Sequence, residues 1–298
     1  MSASTYEQDE AEIEGSRAPL LSHLVELRTR LIICVAAIAV GFVVCFIYAE
    51  PIFLALVRPY KVAQSLVAEQ RAGHSRGSFD LLYAIIGQRT PPKGSAPVEL
   101  VFNGPLEWFF TKVKLAAFGA IGICFPVIAW QLYAFVAPGL YKRERRAFLP
   151  FLIAAPFLFV AGAALVYFVM LPFLMWFSLS QQVVHADIRI QLLAKVSDYM
   201  ELCTKLILAF GLCFQLPVVL SLAGLAGLVN SKMLGSFRRY AAFGIVVVAA
   251  LITPPDPFSQ LLLALPIYLL YEISILCVRV IELRGLARER KAEKAATA

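Results

Sequence analysis

Residues 22–49 read SHLVELRTRLIICVAAIAVGFVVCFIYA: a charged stretch ends at Arg30, and a run without charge continues from Leu31 to Ala49. An uncharged run of about 18 residues or more is long enough to cross a hydrocarbon core roughly 30 Å thick as a helix. The whole chain is 60% hydrophobic and only 16% charged, and its mean hydropathy is +0.76. In an ordinary soluble domain about half of the residues are apolar. The sequence therefore predicts an all-α integral membrane protein.

Further apolar runs follow along the chain, at about residues 115–133, 148–179, 206–228, 240–253 and 258–280. Prolines recur inside or beside these runs, namely Pro126, Pro150, Pro156, Pro172, Pro217 and Pro266. A proline removes a backbone donor and tends to kink its helix. We therefore predict six transmembrane helices, bent by prolines into a concave bundle. The fifth span is short, so it and the sixth are expected to stop short of the far interface.

The predicted membrane domain covers residues 19–283. Residues 1–18 are polar and acidic and are predicted to form a disordered tail, whereas residues 284–298 form a basic tail. Spans one and two are separated by a long polar segment, residues 50–110, whose part at about 71–97 is rich in Gly, Ser and Pro and is interpreted as a flexible insertion. The acidic start does not suit a cleavable signal peptide, so the first span is expected to remain in the mature protein.

Lysine and arginine predict the orientation. They concentrate before span one, between spans two and three, between spans four and five, and after span six. Segments of this kind face the cytoplasm in polytopic membrane proteins. Both termini are therefore predicted to be cytoplasmic, in a multi-pass protein of the inner membrane surrounded by lipid. The formal net charge of +7 is explained by these flanking segments, so no nucleic-acid partner is expected.

Several kinds of chemistry are disfavoured by the sequence. Cysteines lie in or beside apolar runs without CxxC spacing and are interpreted as small buried hydrophobes; they are Cys34, Cys45, Cys124, Cys203, Cys213 and Cys277. The three histidines are scattered outside the apolar runs, so neither a metal site nor a catalytic base is expected at membrane depth. The phosphate-binding motif GxxxxGK[ST] does not occur. We therefore expect a protein that is not an enzyme and needs no cofactor.

Two carboxylates lie near the predicted cytoplasmic ends of the first five spans, Glu26 and Glu144. Glu26 lies four residues before Arg30, a spacing that favours a local ion pair on a helix. Glu144 stands among four cations and could also pair locally, with Lys142 or Arg145. Alternatively, each carboxylate could clamp the planar guanidinium of a ligand. From the residues alone both interpretations remain open.

Two polar side chains are expected within the membrane, Gln215 in span four and Glu272 in span six. A charged side chain at the bilayer centre costs about 2.5–3.5 kcal/mol on insertion scales, so Glu272 should face protein. Gln215 could form an interhelical hydrogen bond, or it could be a polar socket for another helix. Asp256, in the proline-rich turn before span six, is expected to cap that helix.

Three stretches together carry a family resemblance: SHLVELRTRL at 22–31, FVAPGLYKRERR at 135–146 and TPPDPFSQ at 253–260. They resemble the opening motif, the first cytoplasmic loop and the last periplasmic turn of TatC, the multispanning receptor of the twin-arginine protein translocase. The resemblance covers about residues 19–283. It implies a receptor and core subunit that binds the twin-arginine signal peptides of folded proteins for export, driven by the transmembrane proton gradient.

The resemblance also implies roles for individual residues. Glu26 and Glu144 would recognise the paired arginines, with Arg28, Phe135 and Pro138 shaping the site. Functional importance at the periplasmic side is implied for Pro59, Asp256 and the outer loops, and Tyr167 would lie on the substrate-facing side.

Single-span subunits of the TatA and TatB kind would dock against the concave face, in a complex of several copies. Gln215 departs from the family pattern, because many relatives carry glutamate there. The alternative function is a secondary transporter with Gln215 and Glu272 as a midplane polar site.

Overall fold

The computed structural model of the chain describes residues 3–71, 100–136, 142–184, 189–190, 194–252 and 257–296. Its elements are α1 Ala3–Ile47, α2 Ala49–Arg71, α3 Glu107–Val136, α4 Lys142–Leu165, a π-helical turn Val166–Met170, α5 Leu171–Ser180, β1 Val183–Val184, β2 Arg189–Ile190, α6 Val196–Cys213, α7 Leu216–Leu225, α8 Ser231–Ser236, α9 Arg238–Ile252 and α10 Pro257–Ala296. The strands β1 and β2 pair antiparallel over two residues each, so the fold is all-α in character, as predicted.

Five helical stretches in the described residues are long and apolar enough to cross a membrane. They are Leu24–Ile47, Glu107–Phe135, Pro150–Ser180, Val196–Leu225 and Gln260–Arg284. They correspond to predicted spans one, two, three, four and six. The fifth predicted span is the helix α9, whose 15 residues give a length of about 22 Å. That is shorter than the roughly 30 Å hydrocarbon core, so the count of six crossings stays a prediction.

The bending that the prolines predict is clearest in the fourth span. The helix α6 ends at Cys213 and α7 begins at Leu216, so the turn residues Phe214 and Gln215 separate the two, and Pro217 is the second residue of α7. Pro217 has no N–H to donate to the carbonyl of Cys213, so the helix cannot continue unbroken through this point. In the third span α4, the π-helical turn and α5 follow one another directly, with Pro172 near the start of α5.

The polar segment at residues 50–110 begins with the helix α2, an element for which the sequence analysis made no prediction. Its average composition is polar, but its apolar residues recur at helical spacing on one face. The buried members of that face are Leu56, Val57, Tyr60, Ala63 and Val67. Residues 3–18, predicted to be disordered, instead continue α1 as helix; their alanines and glutamates are good helix formers. Most of the predicted insertion lies outside the described residues.

The largest buried cluster joins α2, the π-helical turn, α5, α6 and α10, and includes the fully buried Leu171, Leu206, Phe210 and Leu263. Beside it, α1 packs on α3. A Cβ built at Gly41 would lie 2.6 Å from the Cys124 sulfur, so only glycine allows this approach. The six cysteines are free thiols, and Cys45 and Cys124 are buried among apolar residues, as predicted.

Candidate functional site

Glu26 lies on α1 at the start of the first apolar stretch, with 34% of its side chain exposed. Its Oε1 accepts hydrogen bonds from Arg30 Nε at 3.1 Å and Nη2 at 2.5 Å. Arg30 Nη1 in turn donates to Gln131 Oε1 on α3 at 3.3 Å. The local ion pair is therefore formed, and it is anchored to a second helix. Because both contacts use Oε1, Arg30 leaves the second carboxylate oxygen unused.

The other candidate residues of this end lie on α1 and around the connection between α3 and α4. Arg28 is exposed on α1, and Phe135 is partly buried near the end of α3. Glu144 is the third residue of α4; its side chain and the whole of Pro138 lie outside the described residues. Six Cα steps separate the end of α3 from the start of α4, which limits their separation to about 22 Å. The backbone at Glu144 therefore lies at the same end of the bundle as Glu26.

Gln215 occupies the break between α6 and α7. Its Nε2 donates to the Ala155 carbonyl of α4 at 2.9 Å and, more weakly, to the Gly211 carbonyl at 3.4 Å. The predicted interhelical hydrogen bond is thus present. Gln215 also lines an open cavity of about 620 Å³, otherwise mostly apolar, between α3, α4, α6 and α7, together with Phe125, Leu132, Leu152, Leu212, Val218 and Val219. Gln215 therefore both forms a hydrogen bond between helices and borders a cavity that could receive another helix.

Glu272 faces protein, as predicted, and its partner is Arg238 at the start of α9. Arg238 Nε lies 2.9 Å from Oε1, and Nη2 donates to Oε2 at 2.9 Å. The Tyr268 hydroxyl donates to Oε1 at 3.1 Å. From the sequence alone, Arg238 is only one of the basic residues between spans four and five. Its pairing with a residue 34 positions later depends on the packing of α9 against α10, which periodicity does not reveal.

The hydroxyl of Tyr167 contacts α2 one turn before Pro59. Tyr167, in the π-helical turn, donates its hydroxyl to the Ala55 carbonyl of α2 at 2.8 Å. Ala55 lies four residues before the buried Pro59. The sequence missed Tyr199, whose buried hydroxyl donates to the next carbonyl, that of Leu56, at 2.7 Å. Asp256 lies outside the described residues, so its capping role stays a prediction.

Comparisons with known proteins agree on one family. The family model described as Sec-independent protein translocase protein (TatC) matches residues 22–266. The chain is 39% identical over 279 residues to the Sec-independent protein translocase protein TatC of Magnetococcus marinus, covering 94% of this chain and 90% of that protein. It is 33% identical over 271 residues to the protein of the same name from Escherichia coli, covering 91% and 92%.

A solved structure also matches, the crystal structure of the twin-arginine translocase receptor TatC. Its TM-score to this chain is 0.67 at 32% sequence identity, over 87% of this chain and 98% of the crystallised one. The arrangement of helices is therefore similar in the two chains.

Proposed function

Because this chain belongs to the TatC family of Sec-independent protein translocase proteins, we propose that it is the signal-peptide receptor of a twin-arginine translocase. In this proposal the carboxylates of Glu26 and Glu144 bind the paired arginines of the signal. Arg28, Phe135 and Pro138 shape the site around them. The observation that supports it best is the carboxylate of Glu26, which accepts a guanidinium, that of Arg30, through Oε1 at one end of the bundle.

The chemistry of that contact suits a ligand arginine. A guanidinium is planar and always charged, and it can offer two parallel N–H donors to a carboxylate. The ion pair with Arg30 lies i,i+4 on one helix and is partly exposed, so its contribution is only about 0.3–0.5 kcal/mol. An incoming arginine would therefore displace Arg30, or use the second oxygen, at little cost.

The proposed setting follows from charge and shape. Both termini face the cytoplasm, so the carboxylates meet signals before export. Single-span subunits of the TatA and TatB type dock against the apolar cavity, where Gln215 offers a polar contact, in a complex of several copies. Energy for moving folded cargo comes from the proton gradient, since each charge moved across the membrane gains about 2.3 kcal/mol per 100 mV.

A crosslinking experiment tests the site. A photoreactive amino acid at position 27, where the exposed Leu27 lies next to Glu26, or at position 143, next to Glu144, leaves both carboxylates in place. It should crosslink to a signal peptide with two arginines, and not to the same peptide with two lysines. Position 50 is the matched control, because Glu50 is an exposed glutamate at the opposite end of the bundle. Equal crosslinking of both peptides at positions 27 and 143 would contradict arginine recognition.

Export provides the functional test. Glu144→Lys should abolish export of a twin-arginine reporter while the protein still inserts in the membrane, because a cation replaces the carboxylate that receives an arginine. Glu50→Lys makes the same charge change at the control position and should export normally. Normal export by Glu144→Lys would contradict the proposed role of Glu144 in binding a signal arginine.

A further inference from the structure

The helix α2 contains Pro59 in its interior. Proline has no N–H, so the carbonyl four residues earlier, that of Ala55, loses its ordinary helical donor. Backbone carbonyls in native structures are nearly always hydrogen-bonded, and a freed one needs a substitute. The substitute here is the Tyr167 hydroxyl of the third span, 2.8 Å from the Ala55 oxygen. A side chain of another helix thus replaces the donor that the proline removes.

A second tyrosine acts at the next carbonyl. The Tyr199 hydroxyl of the fourth span donates to the Leu56 oxygen at 2.7 Å. Leu56 follows Ala55 directly, so the two hydroxyls bind adjacent carbonyls of α2.

The hydroxyl of Tyr199 is buried where it meets α2. Tyr199 and Tyr60 are only 3% and 4% exposed, and their rings pack edge to face with centroids 5.5 Å apart. A buried hydroxyl whose partner is removed has no water to replace it. Two spans thus send one hydroxyl each to consecutive carbonyls of α2, at the end of the bundle opposite Glu26.

We propose that Tyr167 and Tyr199 form a hydroxyl latch on the turn of α2 before Pro59, which positions α2 against the third and fourth spans, and that export requires α2 to be held there. Tyr199 is a positioning residue in this proposal, since it acts through α2. The export part rests on the proposed function, whereas the position of α2 does not.

Amide hydrogen exchange of residues 49–71, in the full chain in lipid nanodiscs, tests the latch. A hydrogen bond changes an opening equilibrium by roughly 2- to 13-fold, so Tyr167→Phe or Tyr199→Phe should speed exchange in α2 by that factor. The double variant should speed it further. Tyr271→Phe is the matched control: it removes a buried tyrosine hydroxyl that donates to the Leu234 carbonyl at 2.7 Å, outside α2. Unchanged exchange in the double variant, or an equal effect of the control on α2, would overturn the proposal.

Pro59→Ala provides the sharper test, because it restores the amide that proline lacks. Residue 59 can then donate to the Ala55 carbonyl, so Tyr167→Phe should change exchange less than twofold in this background. Tyr199→Phe should keep its full effect there, because its carbonyl is a different one. An equal effect of Tyr167→Phe with and without the proline would show that the hydroxyl does not replace the missing donor.

Export of a twin-arginine reporter completes the design. The Tyr167→Phe, Tyr199→Phe double variant should export at least fivefold more slowly, while its crosslinking to the twin-arginine peptide from position 27 stays at the level seen without the two tyrosine changes. Normal export together with faster exchange in α2 would overturn the functional part of the latch. Absence of peptide crosslinking in the unmodified chain would instead contradict the receptor proposal and leave the exchange result standing.

Discussion

The competition between Arg30 and a signal arginine for Glu26 can be measured with two substitutions. Glu26→Gln keeps the size of the side chain and an oxygen acceptor but removes the charge. Arg30→Met keeps an apolar stem and removes the resident guanidinium. If Glu26 receives a ligand arginine, the first change should weaken binding of a twin-arginine peptide, and the second should leave it nearly unchanged.

The expected sizes follow from the contacts. Hydrogen bonds to a charged group contribute about 1.5–3 kcal/mol and neutral ones about 0.5–1.5 kcal/mol. Losing the charge of Glu26 should therefore cost about 1–2 kcal/mol, or about 5- to 30-fold in Kd. Arg30 competes through a partly exposed i,i+4 pair of about 0.3–0.5 kcal/mol, so its removal should tighten binding by about twofold at most.

The assay is fluorescence anisotropy of a labelled signal peptide titrated with the purified chain in nanodiscs, with a twin-lysine peptide as the control ligand. Raising the salt from 0.1 M to 1 M shortens the Debye length from about 10 Å to 3 Å, so the unmodified chain should lose more affinity than Glu26→Gln does. A Kd for Glu26→Gln within twofold of the unmodified chain would refute the ligand role of this carboxylate. Binding weakened more than fivefold by Arg30→Met would show that Arg30 builds the site rather than competing for it.

Two further predictions concern the packing around the fourth span. A Cβ at Gly211 would lie 2.5 Å from the Phe159 ring, so Gly211→Ala should destabilise the chain by about 1–3 kcal/mol in a thermal unfolding assay. Gly122 is the control, because a Cβ there would lie 3.9 Å from the same ring and Gly122→Ala should be tolerated. Equal losses of stability for both variants would contradict this packing. Gln215→Leu removes the hydrogen bond to the Ala155 carbonyl and should cost about 0.6–2 kcal/mol in the same assay, whereas no loss would show that this bond contributes nothing to stability.

Most of the architecture was predictable because hydrophobic length is a strong signal. Five of the six predicted spans correspond to long apolar helices, and the break before Pro217 follows from the missing amide. The helix α2 was missed for a physical reason. Its exposed face carries charges such as Arg58 and Lys61, so the average polarity of the segment resembles that of a loop. Only the helical spacing of its apolar residues distinguishes it from a loop.

The candidate site was predictable in part. The i,i+4 spacing of Glu26 and Arg30 is enough to predict their ion pair, because a helix brings residues four apart together. The contacts of Arg30 with Gln131 and of Arg238 with Glu272 join residues 101 and 34 positions apart. No local pattern encodes such pairs; they depend on which helices pack together. Tyr199 was missed for the same reason, since its partner is a backbone carbonyl rather than a side chain with a recognisable type.

The intramembrane polar residues weigh against the transporter alternative. A midplane transport site needs polar groups that can exchange protein partners for a substrate or ion. Glu272 instead holds Arg238 through two contacts of 2.9 Å and also accepts from Tyr268. Breaking that arrangement would leave a guanidinium and a carboxylate both unpaired. Gln215 bonds a backbone carbonyl and borders a mostly apolar cavity, which suits an apolar helix better than a hydrated solute. The polar contacts of Glu272 and Gln215 therefore fix helices in place rather than forming a site for a transported solute.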